Sequence, residues 1–183
     1  MFMIRVTVDS IRVSLLTQHR VVVLREADSR KYLPIWIGAF EADAITLAIQ
    51  GHPPQRPMTH DLLKTVFGEL GAAISHIVIN DIHDSTFYAR IIVEQAGHTI
   101  EIDARPSDAI ALAVRSEVPI YVEEHVLNQA GVPLEDEENT DNEEPQTASD
   151  EPEKEPADEG LTLFRDFINT LDLEDDEGGK EKK

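Results

Sequence analysis

The 183-residue sequence contains no cysteine, which excludes disulfide bonds and metal sites built from thiolates. It has no apolar run close to the roughly 18 residues that a membrane-spanning helix requires. The first ten residues alternate polar and apolar side chains and do not resemble a secretion signal. We therefore expect a cytoplasmic protein without a membrane partner.

Basic residues are scarce, and the net charge is −20. Residues 1–133 carry 11 basic and 16 acidic side chains, whereas residues 134–183 carry 5 and 20. This contrast predicts a folded domain at 1–133 and a disordered acidic linker at 134–160. Apolar residues at helical spacing predict a short amphipathic helix at 161–173, followed by a charged tail at 174–183. That helix would dock on its own domain or bind a protein partner.

Within the domain, alternating apolar residues predict strands, and glycine or proline punctuates their ends. Strands and helices follow the order β-β-β-β, α-α, β-β-β, α, β, α. This grouping predicts an α+β fold with a mixed sheet. Exposed strand edges in such a sheet are compatible with a homodimer.

A strand–turn–helix unit occurs twice. The second copy, Ile100–Ser116, runs from alternating isoleucines through a turn to an apolar helix, with Ser107 as the predicted N-cap. The first copy, Ile35–Gln50, matches it at an offset of 65 with eight of sixteen residues identical, including Asp43 with Asp108. We interpret this as an internal duplication.

The two copies differ where a functional site would lie. The first has Phe40-Glu41-Ala42 and the second has Arg105-Pro106-Ser107. A cation at a helix N-terminus is mildly unfavourable, so an arginine beside capping groups indicates an anion site. The duplication therefore predicts a shared scaffold that carries one specialised site.

Polar side chains collect at the predicted helix starts. They are Glu41 and Asp43; Arg56, Thr59, His60 and Asp61; and Asp103, Arg105, Ser107 and Asp108. If the two units pair about a pseudo-twofold axis, these starts converge and suit phosphodiester chemistry. His60 would be a general base or acid, Arg56 and Arg105 would clamp phosphate, and Asp61 and Asp108 would orient groups or bind a divalent cation such as magnesium or manganese.

Helix electrostatics offers a simpler interpretation of the same residues. Carboxylates are expected near helix N-termini because of the helix dipole alone, and serine and threonine are ordinary caps. From the residues alone, the prediction is an anion-binding cleft without a specific motif.

Several motifs resemble the bifunctional nuclease domain family in the expected order. They are Leu33-Pro34-Ile35-Trp36-Ile37-Gly38 with Glu41-Ala42, Arg56-Pro57-Met58-Thr59-His60-Asp61-Leu62, Thr86-Phe87-Tyr88-Ala89, and Ile102–Ala113. The resemblance covers roughly residues 3–132. It implies a compact α+β protein, with nuclease activity on RNA and DNA in some members. Carried over by position, it marks Glu41, Arg56, His60, Asp61, Arg105, Ser107 and Asp108 for testing.

Three hypotheses follow. The first is a nuclease acting on RNA or DNA, whose nucleic-acid binding would need a positive face. The residues that would supply that face are Arg5, Arg12, Arg20, Arg25, Arg30 and Lys31. The second is a non-catalytic module that binds an anion or a partner protein, with the tail as a regulatory arm. In the third, the acidic tail mimics nucleic acid and occupies the positive face.

Overall fold

The computed structural model describes residues 2–14, 19–27, 31–52 and 54–133. The predicted linker, amphipathic helix and charged tail of residues 134–183 lie outside the described residues. The described part combines eight strands in one mixed sheet with four helices, which confirms the α+β prediction. No helix within these ranges has the length and apolar character needed to cross a membrane.

The elements follow the predicted order except at its two ends. Three strands rather than four precede the first helix, because Met3–Val13 forms one long strand, and a short strand follows the last helix. The strands are β1 (Met3–Val13), β2 (Arg20–Glu26), β3 (Lys31–Ile37), β4 (Ala72–His83), β5 (Thr86–Gln95), β6 (His98–Ala104), β7 (Ile120–Glu123) and β8 (Val132–Pro133). The helices are α1 (Ala39–Ile49), α2 (Thr59–Glu69), α3 (Pro106–Ser116) and α4 (Glu124–Ala130).

The strand order in the sheet is β6-β5-β4-β7-β1-β2-β3-β8. All the pairs are antiparallel except β4 with β7, which is parallel. Strands β1, β2 and β3 form one antiparallel meander followed by α1, and β4, β5 and β6 form a second one, followed by α3. The duplicated unit is therefore larger than a strand–turn–helix, because each copy is a three-strand meander with a helix.

Helix α3 is the most deeply buried helix of the described part. Ala109, Ile110, Ala111, Leu112 and Ala113 are all fully buried. The helix packs against α1, α2, β4 and β5, and its alanines let these neighbours approach closely. Helices α1 and α2 are thus brought together through α3, which positions their first turns beside its own.

The register of the duplication differs from the sequence prediction. Helices α1 and α3 begin at Ala39 and Pro106, so their structural offset is 67 rather than 65. The counterpart of Asp108 is therefore Glu41, and the pairing of Asp43 with Asp108 is wrong. A two-residue slip keeps the same strand face inward, so apolar alternation alone does not detect it.

Two helix caps lie one or two residues before the threonine and serine at the predicted helix starts. The N-cap of α3 is Arg105 and Pro106 is its first residue, so Ser107 lies inside the first turn and is not the cap. Proline has no N–H to satisfy and its φ suits a first helical position, which explains this start. Helix α2 likewise has Met58 as its N-cap and Thr59 as its first residue.

Candidate active site

The first turns of α1, α2 and α3 meet at one place. Glu41 lies in the first turn of α1, His60 in that of α2, and Asp108 in that of α3. Arg105, the N-cap of α3, lies among them. The structure thus brings together four of the residues that the sequence marked, from segments far apart in the chain.

Arg105 connects the two acidic members of this cluster. Its Nη2 donates to Oε1 of Glu41 over 2.7 Å and to Oδ1 of Asp108 over 3.1 Å, while its Nε donates to Oδ2 of Asp108 over 2.7 Å. Hydrogen bonds to Asp108 and then to Glu41 raise the pKa of the Arg105 guanidinium. The anions beside this arginine are therefore two carboxylates of the protein itself.

Arg105 nevertheless keeps hydrogen-bonding capacity for a ligand. A guanidinium has five N–H donors, and the three contacts use those of Nε and Nη2. Within the described residues, Nη1 makes no hydrogen bond. Because 66% of the side chain is exposed, these two donors are accessible to an anion from solution.

His60 completes the cluster on the side of α2. Its Nε2 lies 3.1 Å from Oδ1 of Asp108, and the imidazole is largely buried. Partial burial opposes ionisation of the Asp108 carboxyl, but hydrogen bonds from Arg105 and His60 outweigh it and lower its pKa from the ordinary value of 3.8. An ionised carboxylate only accepts hydrogen bonds, so Nε2 of His60 carries the proton and donates.

The tautomer of His60 follows from this hydrogen bond. In the neutral imidazole with a proton on Nε2, the lone pair is on Nδ1. Within the described residues, Nδ1 makes no hydrogen bond. The arrangement can therefore accept a proton at Nδ1 and stabilise the resulting imidazolium through Asp108.

Asp61 has different neighbours from those of His60. Its Oδ2 accepts the backbone N–H of Met58 over 2.8 Å, and its Oδ1 accepts the Nε–H of Arg115 over 2.8 Å. Both oxygens are thus engaged in contacts that shape the start of α2. Arg115 was not marked by the sequence, because a basic residue in a last helical turn is expected from the helix dipole alone.

The other marked residues lie in different environments. Arg56 is exposed in the loop before α2 and makes no hydrogen bond or ion pair with the described residues. Ser107 is buried in the first turn of α3. Asp43 is exposed on α1, and one of its oxygens lies 3.7 Å from Arg20. Asp103 is exposed on β6, where its backbone pairs with that of Arg90.

The expected positive face is neutralised in part, because two of its arginines lie beside carboxylates. Arg25 lies 3.6 Å from Asp9, and Arg20 lies close to Asp43. Lys31 donates to Asn128, and Arg12 donates to Ser10. Arg30 is outside the described residues. Arg105, which belongs to the cluster, and Arg56, an exposed cation four residues before His60, remain the candidates for contact with phosphate.

A divalent cation does not fit the cluster as it stands. Among the residues that the structure describes, no group of three or more histidine, aspartate and glutamate side chains is arranged to hold a metal ion. Glu41 and Asp108 already share the Arg105 guanidinium as their cation.

Comparison with known proteins identifies the family to which this chain belongs. Residues 22–135 match the family model of the bifunctional nuclease domain. The chain belongs to the bifunctional nuclease domain family. Glu41, His60, Arg105 and Asp108 all lie within the matched region of this bifunctional nuclease domain.

The chain is similar to an uncharacterized bacterial protein and to plant proteins named bifunctional nucleases. An uncharacterized protein of Mycobacterium tuberculosis (strain H37Rv) is 43% identical over 170 residues, which cover 93% of this chain and 96% of that protein. Bifunctional nuclease 2 of Oryza sativa subsp. japonica is 30% identical over 118 residues, which cover 63% of this chain and 36% of the rice protein. Bifunctional nuclease 1 of Oryza sativa subsp. indica is 27% identical over 117 residues, 62% of this chain and 35% of its own length.

Proposed function

We propose that this protein is a nuclease that hydrolyses phosphodiester bonds of RNA or DNA at the cluster of Glu41, His60, Arg105 and Asp108. The observation that carries the proposal is the hydrogen bond from His60 Nε2 to Asp108, whose carboxylate is held in turn by Arg105. A histidine oriented by a carboxylate is a recurrent acid–base unit in hydrolases. Membership of the bifunctional nuclease domain family supports the same chemistry.

In the proposed reaction, His60 Nδ1 takes a proton from the attacking water. The water oxygen forms a new P–O bond, an ester P–O bond breaks, and the departing oxygen takes a proton, which the imidazolium can supply. Asp108 fixes the tautomer of His60 and stabilises its cationic form. No step is assigned to a metal ion, because Arg105 is already the cation that Glu41 and Asp108 share.

Binding of the substrate phosphate is assigned to two arginines. Arg105 offers its Nη1 donors, and Arg56 is an exposed cation four residues before His60. Guanidinium groups suit phosphate because their N–H donors match two of its oxygens. Glu41 also holds the Arg105 side chain, by accepting a hydrogen bond from its Nη2.

The test is cleavage of fluorescently labelled single-stranded RNA and DNA by the full chain, with and without EDTA. Asp108→Asn and His60→Gln should each lower kcat by about 100-fold or more, the usual size of a general acid–base contribution. His83→Gln is the matched control, since His83 donates to Asp81 over 2.9 Å outside the cluster. Its kcat should equal that of the wild type.

Contaminating nuclease is the main competing explanation of a weak signal. All variants are therefore purified identically. Equal trace cleavage by the wild type, Asp108→Asn and His60→Gln would contradict the proposal and favour a module that binds an anion or a partner without cleaving it.

A further inference from the structure

Arg115, in the last turn of α3, is a buried cation with three well-defined contacts. Only 6% of its side chain is exposed. Its Nε donates to Oδ1 of Asp61 over 2.8 Å, its Nη1 donates to the carbonyl of Ala111 over 2.9 Å, and its Nη2 lies 3.8 Å from the sulfur of Met58. Because an uncompensated buried charge is strongly unfavourable, such a guanidinium has to keep its partners.

Two of these three contacts reach the start of α2. Asp61 accepts from Arg115 with one oxygen and from the backbone N–H of Met58 with the other. Met58, the N-cap of α2, also contacts Arg115 through its sulfur. Arg115, Asp61 and Met58 therefore form a closed set that ties the first turn of α2 to the last turn of α3.

This tie lies next to the candidate base. His60 precedes Asp61 and donates to Asp108, which is seven residues before Arg115 on α3. Seven helical residues correspond to about two turns, or roughly 10 Å. The start of α2 is thus held to α3 by two contacts, His60 with Asp108 and Asp61 with Arg115. Together they restrict rotation of this segment about either contact. The direction of the His60 imidazole depends on both.

We propose that Arg115 is a positioning residue of the candidate active site. By contacting Asp61 and Met58, it orients the His60 imidazole toward Asp108. It also fixes the position at which the loop that contains Arg56 joins α2. Its catalytic consequence rests on the proposed nuclease function, whereas its effect on His60 does not. A residue that acted on fold stability alone would not control the tautomer of the His60 ring or the exchange rate of its Nε2 proton.

Three variants separate these roles. Arg115→Met keeps the aliphatic stem and removes the guanidinium, and Arg115→Lys keeps the charge without the planar set of donors. Asp61→Asn keeps an acceptor for the Met58 N–H and removes the ion pair. Val126→Ala is the control for lost stability, because Val126 is buried in α4, outside the contacts between α2 and α3.

The first readout is nitrogen-15 NMR of the His60 ring in the full chain. The wild type should show the tautomer with its proton on Nε2, in slow exchange with water. In Arg115→Met and Asp61→Asn, that proton should exchange at least tenfold faster and the tautomers should mix, while Val126→Ala should retain the wild-type signal. Unchanged ring signals in Arg115→Met and Asp61→Asn would overturn the proposal.

The second readout is cleavage at a temperature where every variant is folded. Arg115→Met and Arg115→Lys should lose tenfold or more in kcat, because small displacements of a reacting group are costly, while KM changes less. If the ring signals change but even the wild type does not cleave, the positioning role stands and the nuclease function fails. If the wild type cleaves and both Arg115 variants keep its kcat, the positioning role fails.

Discussion

His60 Nε2 lies 3.1 Å from Asp108 Oδ1, although 48 positions separate the two residues in the chain. The contact exists because α2 packs against α3, so that the first turns of both helices are neighbours. Arg105 and Glu41 extend this contact to α1. The candidate site is thus a product of helix packing, and its chemistry depends on how the three helices begin.

The pH dependence of stability should report the environment of Asp108. Its pKa is lowered in the folded protein from the ordinary value of 3.8, so its stabilising contribution is present above that unfolded value and is lost as the pH falls through the folded value. The free energy of unfolding of the wild type should exceed that of Asp108→Asn by about 1 kcal/mol or less above pH 5, since the site is accessible to solvent. The difference should vanish below the lowered pKa.

Urea denaturation from pH 3 to pH 8 measures this difference. Asp103→Asn is the control, since Asp103 is an exposed carboxylate that makes no ion pair with the described residues. If the free energies of unfolding of the wild type and Asp108→Asn ran parallel over this pH range, the lowered pKa of Asp108 would be contradicted.

Removal of Arg105 should leave two carboxylates near each other without their shared cation. We expect Arg105→Ala to lower the free energy of unfolding by about 1 kcal/mol or less, because its ion pairs are partly exposed. Adding Glu41→Gln should recover part of the loss. Since repulsion between partly exposed charges is screened by salt, the loss should shrink in 1 M sodium chloride.

Arg90→Ala is the matched control for this substitution. Arg90 forms an exposed ion pair with Glu101 over 2.7 Å and has one carboxylate partner rather than two. Adding Glu41→Gln to Arg90→Ala should restore nothing. An equal recovery in both backgrounds would show that Glu41 and Arg105 are not coupled.

The end of α3 offers a prediction that is independent of function. Glu117, its C-cap, has φ 57° and ψ 35°, a left-handed conformation that favours glycine. Glu117→Gly should raise the free energy of unfolding by up to about 1 kcal/mol, whereas Glu117→Ala keeps the strained backbone and should not. Thermal denaturation of the two variants distinguishes them, and a gain for alanine equal to that for glycine would refute the backbone explanation.

Much of this fold was predictable because local sequence patterns determine where its strands and helices begin and end. Apolar alternation marks the strands of both meanders, and Gly51 and Gly71 follow the ends of α1 and α2. The convergence of Glu41, His60, Arg105 and Asp108 was also expected from the duplication. That expectation did not depend on the exact register, since a shift of two residues keeps Glu41 in the first turn of α1.

The remaining features required information from beyond the local sequence. Ser107 was predicted as a cap because serine favours that position, but Pro106 at the first helical position moved the cap to Arg105. The partners of Arg105 include Glu41, 64 positions away. Arg115 was missed because its partner Asp61 is 54 positions away, and only the packing of α2 on α3 reveals the contact.

The most direct test of the central claim is a double-mutant cycle of cleavage rates with His60→Gln, Asp108→Asn and the double variant. Residues that act as one catalytic unit are non-additive, so the double variant should cleave no more slowly than the slower single variant. A loss in the double variant equal to the product of the two single losses would contradict the His60–Asp108 unit.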